Sequence, residues 1–435
     1  MEKNDIFWFI EHISRELDVA AAVSVLLKQK YEKSIKILSI NNFNNLKDYS
    51  PSIVILPYCY SLNDSVLKNC LKYWPEAVYF NLAWEQIFYK ANIEYKAPRD
   101  KFVKKSVIHH AWSNSRAKLL QQKGIPEKNI FINGHPAYQL YKAPYRKIFT
   151  DKKELAQKFN LDPEKKWLFF PENYSWFFYS DNNLKNIIKN GQSRQVVYTM
   201  KDYCGKSLSI VLKWLSLVAD KYSDGYEIIL RPRPTFNLDY FQNKIKNLYP
   251  RLSKNIRIIK DYSVREWILA SDLVISSFST SLIEAAVAGK PIFMLEPVKI
   301  PQELFSSWYR NVAKINTLDS LFRILKKNNN RNSYLKLHNW ANKEFFVNSD
   351  PIIGLVDFLG KFSLSDHSID RKNQLKIIYS SQAVKSDLKD IIINTLGGLK
   401  RHLTVDKFYY QDDDRYKFAG WLNRRIKDFR VLFNL

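Results

Sequence analysis

Two short stretches hold the residue types that can grip a phosphate. Arg231-Pro232-Arg233-Pro234 follows the strand-like run Tyr226–Leu230 directly. Two guanidiniums at the end of a strand can hold phosphate or carboxylate oxygens through paired, charge-assisted hydrogen bonds. The prolines keep the backbone extended and remove amide donors, which suits a segment lying past the last ladder position. Further on, Ser276, Ser277, Ser279, Thr280 and Ser281 crowd between the apolar run Leu273–Ile275 and a helix-like segment carrying Glu284. Capping a helix needs one hydroxyl, and this run holds several more. The free N–H groups and dipole at that helix start would also favour an anion. Glu284, one turn in, can accept hydrogen bonds from ribose hydroxyls or simply complement the dipole.

Acid–base chemistry needs a carboxylate tuned by its surroundings. Glu85, in Leu82-Ala83-Trp84-Glu85-Gln86, and Glu172, in Phe170-Pro171-Glu172-Asn173, each stand at the end of an apolar run beside aromatics. Desolvation there would raise the pKa toward that of a general base. Either can equally be a satisfied structural acid. Asn133-Gly134-His135-Pro136 reads as a tight turn that points His135 into the space between two domains. His109-His110 lies in a strand-like run, where neighbours face opposite sides and cannot easily share a metal. Asp412-Asp413-Asp414 stands far from the other candidates, beside basic residues, and reads as a solvated loop. Cys59, Cys70 and Cys204 have no metal-ligand spacing and fit free thiols in a reducing compartment. No metal site is expected.

The elements that position these residues alternate in type. Ile6–His12 reads as a first strand, followed by a helix over Arg15–Tyr31 that Ser14 is placed to cap. Ile35–Ile40, Ser52–Tyr58, Ala77–Trp84, Ser106–Ser113 and Asn129–Pro136 follow as strands separated by helical patterns, with Glu94–Lys105 charged and loop-like. The basic stretch Tyr141–Glu164 connects to a second series: strands at Lys165–Asn173, Tyr226–Pro234, Asn255–Tyr262, Leu273–Ile275 and Ile292–Leu295, with helices between. Strands alternating with helices imply parallel sheets. We read 1–145 as one Rossmann-like domain, 146–345 as a second, and 346–435 as a helical extension. The 301–345 stretch looks helical and Trp-rich, and the extension holds a break at Leu396–Lys400 and a basic, aromatic end. In open α/β sheets, ligands bind at the carboxyl ends of the strands, which is where the arginine, serine and glutamate clusters fall.

The chain has 435 residues, 46% hydrophobic and 15% aromatic, enough for two packed cores. No run is long and apolar enough for a transmembrane helix, and acids interrupt the N-terminal apolar run, so a cytoplasmic protein is expected. The formal charge of +25 is spread along the chain, with no zinc-finger spacing or RNP-like aromatic motif. Nucleic acid is therefore not the expected partner; anionic lipid or an anionic substrate fits the charge equally well, as does drift toward Lys and Asn. A Gly-rich dinucleotide fingerprint is absent from the first domain.

Taken in order, these segments carry a family likeness. The strand ending in Arg231-Pro232-Arg233-Pro234, followed by Ile275–Pro291 (ISSFSTSLIEAAVAGKP), resembles the second domain of GT-B glycosyltransferases. Arg15–Asp18 (RELD), Ala111–Leu120, Asn133–Tyr141 and Glu284–Pro291 are similar in order and spacing to bacterial surface-polysaccharide biosynthesis proteins, including CMP-sugar transferases for Kdo and sialic acid and CDP-glycerol glycerophosphotransferases. The likeness spans residues 6–300 and implies a GT-B-like fold, two Rossmann-like domains facing a cleft. It implies no cofactor and a nucleotide-sugar donor, cytidine-type and possibly CMP-linked, as substrate. The acceptor would be a cell-surface glycan or lipid-linked chain, as in capsule or lipopolysaccharide assembly, with the enzyme cytoplasmic or peripheral at the inner membrane. By the same likeness Arg231, Arg233, Ser276 and Ser277 would face the donor phosphate, Glu284 the ribose, and Glu85 the acceptor; Arg15 and His135 would belong to the cleft. Transfer from a CDP-alcohol, or a non-catalytic relative that only binds donor, are the alternatives. Arg233 stands where the pattern carries His, and Trp84-Glu85-Gln86 replaces the usual second acid and Gly.

Overall fold

The computed structural model describes residues 6–40, 49–94, 96–189, 191–234, 236–327, 332–369, 376 and 412–435. Two six-stranded, wholly parallel sheets form the molecule. The first holds β1 (Ile6–Ile10), β2 (Ile35–Ser39), β3 (Ile53–Leu56), β4 (Val78–Asn81), β5 (Val107–Ala111) and β6 (Ile130–Ile132), in the order β2-β1-β3-β4-β5-β6. The second holds β7 (Lys166–Pro171), β8 (Tyr226–Arg231), β9 (Ile256–Ile258), β10 (Leu273–Ser276), β11 (Ile292–Leu295) and β12 (Lys314–Ile315), in the order β12-β11-β10-β7-β8-β9. This is the α/β architecture expected from the alternating pattern.

Sheets covered on both faces need strands that are apolar throughout, and β1 is buried at every position. Its Ile6, Trp8 and Ile10 join one core cluster while Phe7 and Phe9 join another on the opposite face. Trp8 sits between Ile37 of β2 and Ile55 of β3, which fixes the register at the middle of the sheet. The second sheet is wrapped in its own large core, including Trp167, Phe169, Ile229, Trp267 and Ile275.

After the Leu335–Phe345 helix the chain returns to the first sheet. The helix Pro351–Gly360 places Ile352, Leu355, Val356 and Leu359 in the first domain's core, and Phe429 of the C-terminal helix Asp412–Leu432 joins them. The aromatic end therefore packs inward: Phe429 is buried, and Trp421 and Phe433 lie against the same core.

Several local expectations differ from the structure. Ser14 does not cap a helix: the chain enters a π turn, Ile13–Leu17, in which the His12 carbonyl accepts the Glu16 N–H at 3.0 Å, and the α-helix Asp18–Tyr31 continues from it. Lys101–Ser106 is a short helix inside the stretch read as a loop, because Phe102 and Val103 find a place in the core. The helix before β8 starts at Arg194, well ahead of its strongly periodic part. β12 lies in a region read as helical; at two residues, it is too short to leave a pattern. Asp412–Asp414 belongs to the backbone of the C-terminal helix rather than to a loop, and its side chains lie outside the described residues. The break at Leu396–Lys400 also lies outside them. No helix among the described residues is long and apolar enough to cross a membrane.

Candidate active site between the two sheets

Strand order predicts where ligands enter. In the first sheet β2 lies on one side of β1 and β3 on the other; in the second, β8 and β10 flank β7 in the same way. Connections diverge at each of these points and leave a crevice beyond the strand ends. A cavity of ≈ 500 Å³ lies there, lined from the first domain by Arg15, Trp84, Glu85, Lys96, Trp112 and His135, and from the second by Asn173, Ser175, Arg233, Arg265, Thr280 and Glu284.

On the first-domain side, the π turn presents Arg15. Its Nη2 bonds Glu11 Oε2 at 2.8 Å and Glu16 Oε1 at 2.5 Å, and its Nη1 lies 3.3 Å from Glu85 Oε1. Lys96 Nζ pairs with the other oxygen of Glu85. Burial pushes Lys96 down to about 8, and the Arg15 and Arg233 guanidiniums press on it from both domains. Glu85, with 42% of its side chain exposed, is therefore a reachable carboxylate framed by two cations.

His135 lies between Trp112 and Tyr138, with ring centroids at 3.7 and 3.9 Å. Gly134 makes that turn possible: its φ is +110°, and a Cβ there would fall 2.5 Å from the Phe345 carbonyl oxygen. Burial holds the imidazole neutral, well below its usual range. Nδ1 accepts the Ala137 N–H at 3.3 Å, so the ring proton belongs on Nε2 and His135 is a donor.

In the second domain the paired arginines part company. Arg233 lines the cavity, its Nη1 bonding Ser175 Oγ at 3.2 Å and Asn173 Oδ1 at 3.4 Å. Arg231 lies behind the wall, buried, with Nη2 on the Tyr262 carbonyl at 2.7 Å; burial pushes it down to about 10. The hydroxyl run divides similarly. Ser276 Oγ donates to the Pro171 carbonyl at 2.6 Å and ties β10 to β7, Ser277 is fully buried, and Ser279 Oγ accepts the Ser281 N–H at 3.2 Å. Thr280 alone of that run reaches the cavity, with Glu284 behind it accepting from Tyr141 Oη at 2.7 Å. Burial raises the Glu284 pKa, against the pull of Arg265 and Arg231.

Glu172 is not part of the cavity lining. It is buried behind Asn173, one oxygen accepting the Tyr174 N–H and the other without a partner. Burial pushes it up to about 7, with Arg233 pulling the other way. Two cationic cavity residues had no mark in the sequence. Lys96 comes from an irregular charged stretch. Arg265 sits in a helix whose spacing gives no hint that it crosses to the first domain, where it donates to Asp18 Oδ2 at 2.8 Å and to the Arg15 carbonyl at 2.6 Å. Only the packing of the two domains brings them to the cleft. Among the described residues no group of three or more His, Cys, Asp or Glu side chains could hold a metal ion.

The arrangement offers four cationic side chains, of which Arg265 is paired with Asp18, together with an accessible carboxylate, a neutral imidazole donor and an aromatic lining that includes Trp84, Trp112, Trp176 and Trp308. Such a set can hold an anionic group between two domains, stack a ring and take a proton. No protein-family model and no curated protein sequence matches the chain. Solved structures do match in fold. S. aureus MnaA in complex with UDP aligns with a TM-score of 0.52 at 11% identity, over 81% of this chain and 95% of that one. The wall teichoic acid polymerase TagF aligns at 0.52 and 13% identity, over 87% and 91%. Its H444N variant soaked with CDPG aligns at 0.52 and 12% identity, over 87% and 90%. The chain thus has a GT-B-like fold, two Rossmann-like domains facing a cleft with a helical C-terminal region.

Proposed function

We propose that the protein is an enzyme that transfers a group from a nucleotide-activated donor to a hydroxyl of a surface-polysaccharide or lipid-linked acceptor. The observation that carries this is the meeting of Arg15 and Lys96 from the first domain with Arg233 from the second, around Glu85. A leaving nucleotide phosphate develops negative charge, and cations already in place stabilise it without reorganising. Thr280 and Glu284 stand where the donor's phosphate and ribose would lie on the second domain. Glu85 is the better candidate base, since it reaches the cavity and Glu172 does not. His135 would donate a hydrogen bond from Nε2 to substrate, because Nδ1 is already used.

Two chemistries fit this site. In sugar transfer the acceptor oxygen attacks the anomeric carbon and the nucleotide leaves. In alcohol-phosphate transfer it attacks the outer phosphorus of a CDP-alcohol and CMP leaves. The second has better support. Arg15 and Lys96 lie on the acceptor side, where a transferred phosphoryl group brings charge and a neutral sugar ring does not. A fold shared with TagF soaked with CDPG points the same way.

The test is release of nucleotide from CDP-glycerol, CMP-sugars and UDP-sugars by the wild type and by Glu85→Gln, with donor binding measured separately. Transfer lost with binding intact supports Glu85 as the base. Unchanged transfer removes it from the mechanism, and no turnover of any donor by the wild type contradicts the enzyme reading.

A further inference from the structure

A second cavity, of ≈ 580 Å³, lies at the opposite edge of the second sheet. It is bounded by Leu269-Ala270, just ahead of β10, and by Ala288–Lys290, just ahead of β11, so it opens at the amino ends of the strands, away from the cleft. Arg146, Lys147, Lys152 and Lys290 line it, against one acid, Asp151, which is occupied in capping the Glu154 N–H at 2.9 Å. Two helices, Val264–Ala270 and Ser281–Val287, end here. Their carbonyl ends together account for about one cation, which leaves an excess. Lys152 is used by Asp272 and the Lys165 carbonyl at 3.0 and 2.9 Å. Arg146 and Lys147 are exposed and form no ion pair among the described residues. Arg146 and Lys152 both press on the Lys290 ammonium, which burial already holds below its usual range.

The turn carrying Arg146 and Lys147 packs on the end of the C-terminal helix. Tyr145 meets Phe433 at 5.9 Å between ring centroids, and Arg425 Nη1 donates to the Ile148 carbonyl at 3.2 Å. With Phe418, Trp421 and Phe429 turned toward the core, this helix shows Arg424, Lys427 and Arg430 to solvent, together with Val431 and Leu435 at 69% and 50% exposure. Basic side chains beside exposed apolar ones suit a bilayer surface, where headgroups take the charge and the acyl boundary takes the apolar tips. A nucleic acid or a free phosphate would have no use for Val431 and Leu435.

We infer that this face, Arg146, Lys147 and Lys290 with the end of the C-terminal helix, docks on anionic phospholipid headgroups. The inference rests on the function proposed above only in that an acceptor held at a membrane gives such a face a purpose. Docked this way, the cleft opens from the far edge of the second sheet.

The test is co-sedimentation of the full chain with phosphatidylcholine vesicles, with and without phosphatidylglycerol. The wild type should be retained on the anionic vesicles and released by salt. Arg146→Gln with Lys147→Gln should weaken retention by about twenty-fivefold, at roughly fivefold per cation, while the melting temperature and any nucleotide-induced shift stay at wild-type values. Val431→Ser with Leu435→Ser should weaken retention and leave its salt dependence in place. Equal retention on neutral vesicles, or a double cation variant retained like the wild type, overturns the inference. So does stabilisation by inorganic pyrophosphate that Arg146→Gln with Lys147→Gln abolishes, without vesicle retention, because it marks a soluble-phosphate site. Arg233→Ala separates the two ideas: it should lose the nucleotide-induced shift and keep vesicle retention.

Discussion

Arg231 and Arg233 show how little neighbouring letters say about neighbouring roles. Both were legible as phosphate grips. The sequence could not reveal that β8 ends at Arg231 and buries it on the Tyr262 carbonyl, while the turn at Pro232 carries Arg233 to the cavity. Arg233→Ala should weaken binding of a nucleotide diphosphate by about 2 kcal/mol, the usual size of a hydrogen bond to a charged group, and leave the unfolding midpoint nearly unchanged. Arg231→Ala should lower the midpoint, because it empties a buried site. Paired titrations and denaturant curves on the two variants check this. Glu172 makes a separate prediction. Its pKa stands near 7 in the folded chain against 4.5 as a free group, because burial disfavours the carboxylate. The folded state then holds a proton that the unfolded state has released. Stability should therefore fall as pH rises from roughly 4.5 to 7, by up to about 3 kcal/mol, and stay at the lower level above that window. Denaturant unfolding across this range should show a slope in the wild type that Glu172→Gln removes.

The elements were easier to read than their ends. Apolar strands such as Ile6–Ile10 and Ile53–Leu56 announce themselves, since a parallel sheet covered on both sides favours apolar residues at every position. The π turn at Ile13–Leu17 did not, because its residues also fit an ordinary helix start; only contacts made by the Arg15 and Ser14 carbonyls with Arg265, across the domains, distinguish it. In the hydroxyl run Ser276 and Ser279 bond the backbone, a use that a sequence cannot tell from ligand binding. Gly134 was legible as a turn, and its setting makes it irreplaceable. Gly134→Ala should cost about 2 kcal/mol or more, from the positive φ and the overlap with the Phe345 carbonyl and Pro351. It should also move His135 off Trp112, visible as a change in tryptophan fluorescence. A variant as stable as the wild type contradicts this.

At the scale of the molecule, a buried ionic network locks the domains. Arg425 of the C-terminal helix bonds Asp18 Oδ1 at 2.8 Å in the first domain and Glu266 Oε1 at 2.7 Å in the second, while Arg265 holds the other oxygen of Asp18 at 2.8 Å. These residues stand far apart in the chain, so only the return of the C-terminus to the first domain makes them a unit. Removing one partner strands a buried charge. Arg425→Met should cost about 3–5 kcal/mol, with part of the loss recovered when Glu266→Gln is added, since Asp18 keeps Arg265 and Glu266 is the carboxylate left without a cation, as denaturant unfolding of the single and double variants would report. The network also fixes the π turn through Arg265, and so the distance between Arg15 and Arg233 on which the proposed function depends. The most direct measurement is a thermal-shift series with CMP, CDP, UDP, GDP and ADP on the wild type, Lys96→Gln and Arg233→Ala. A ligand held from both domains predicts a clear rise in melting temperature, largest for a cytidine nucleotide, and diminished by either substitution alone. No rise with any nucleotide, or a rise that neither substitution touches, would contradict a nucleotide donor bound between the two sheets.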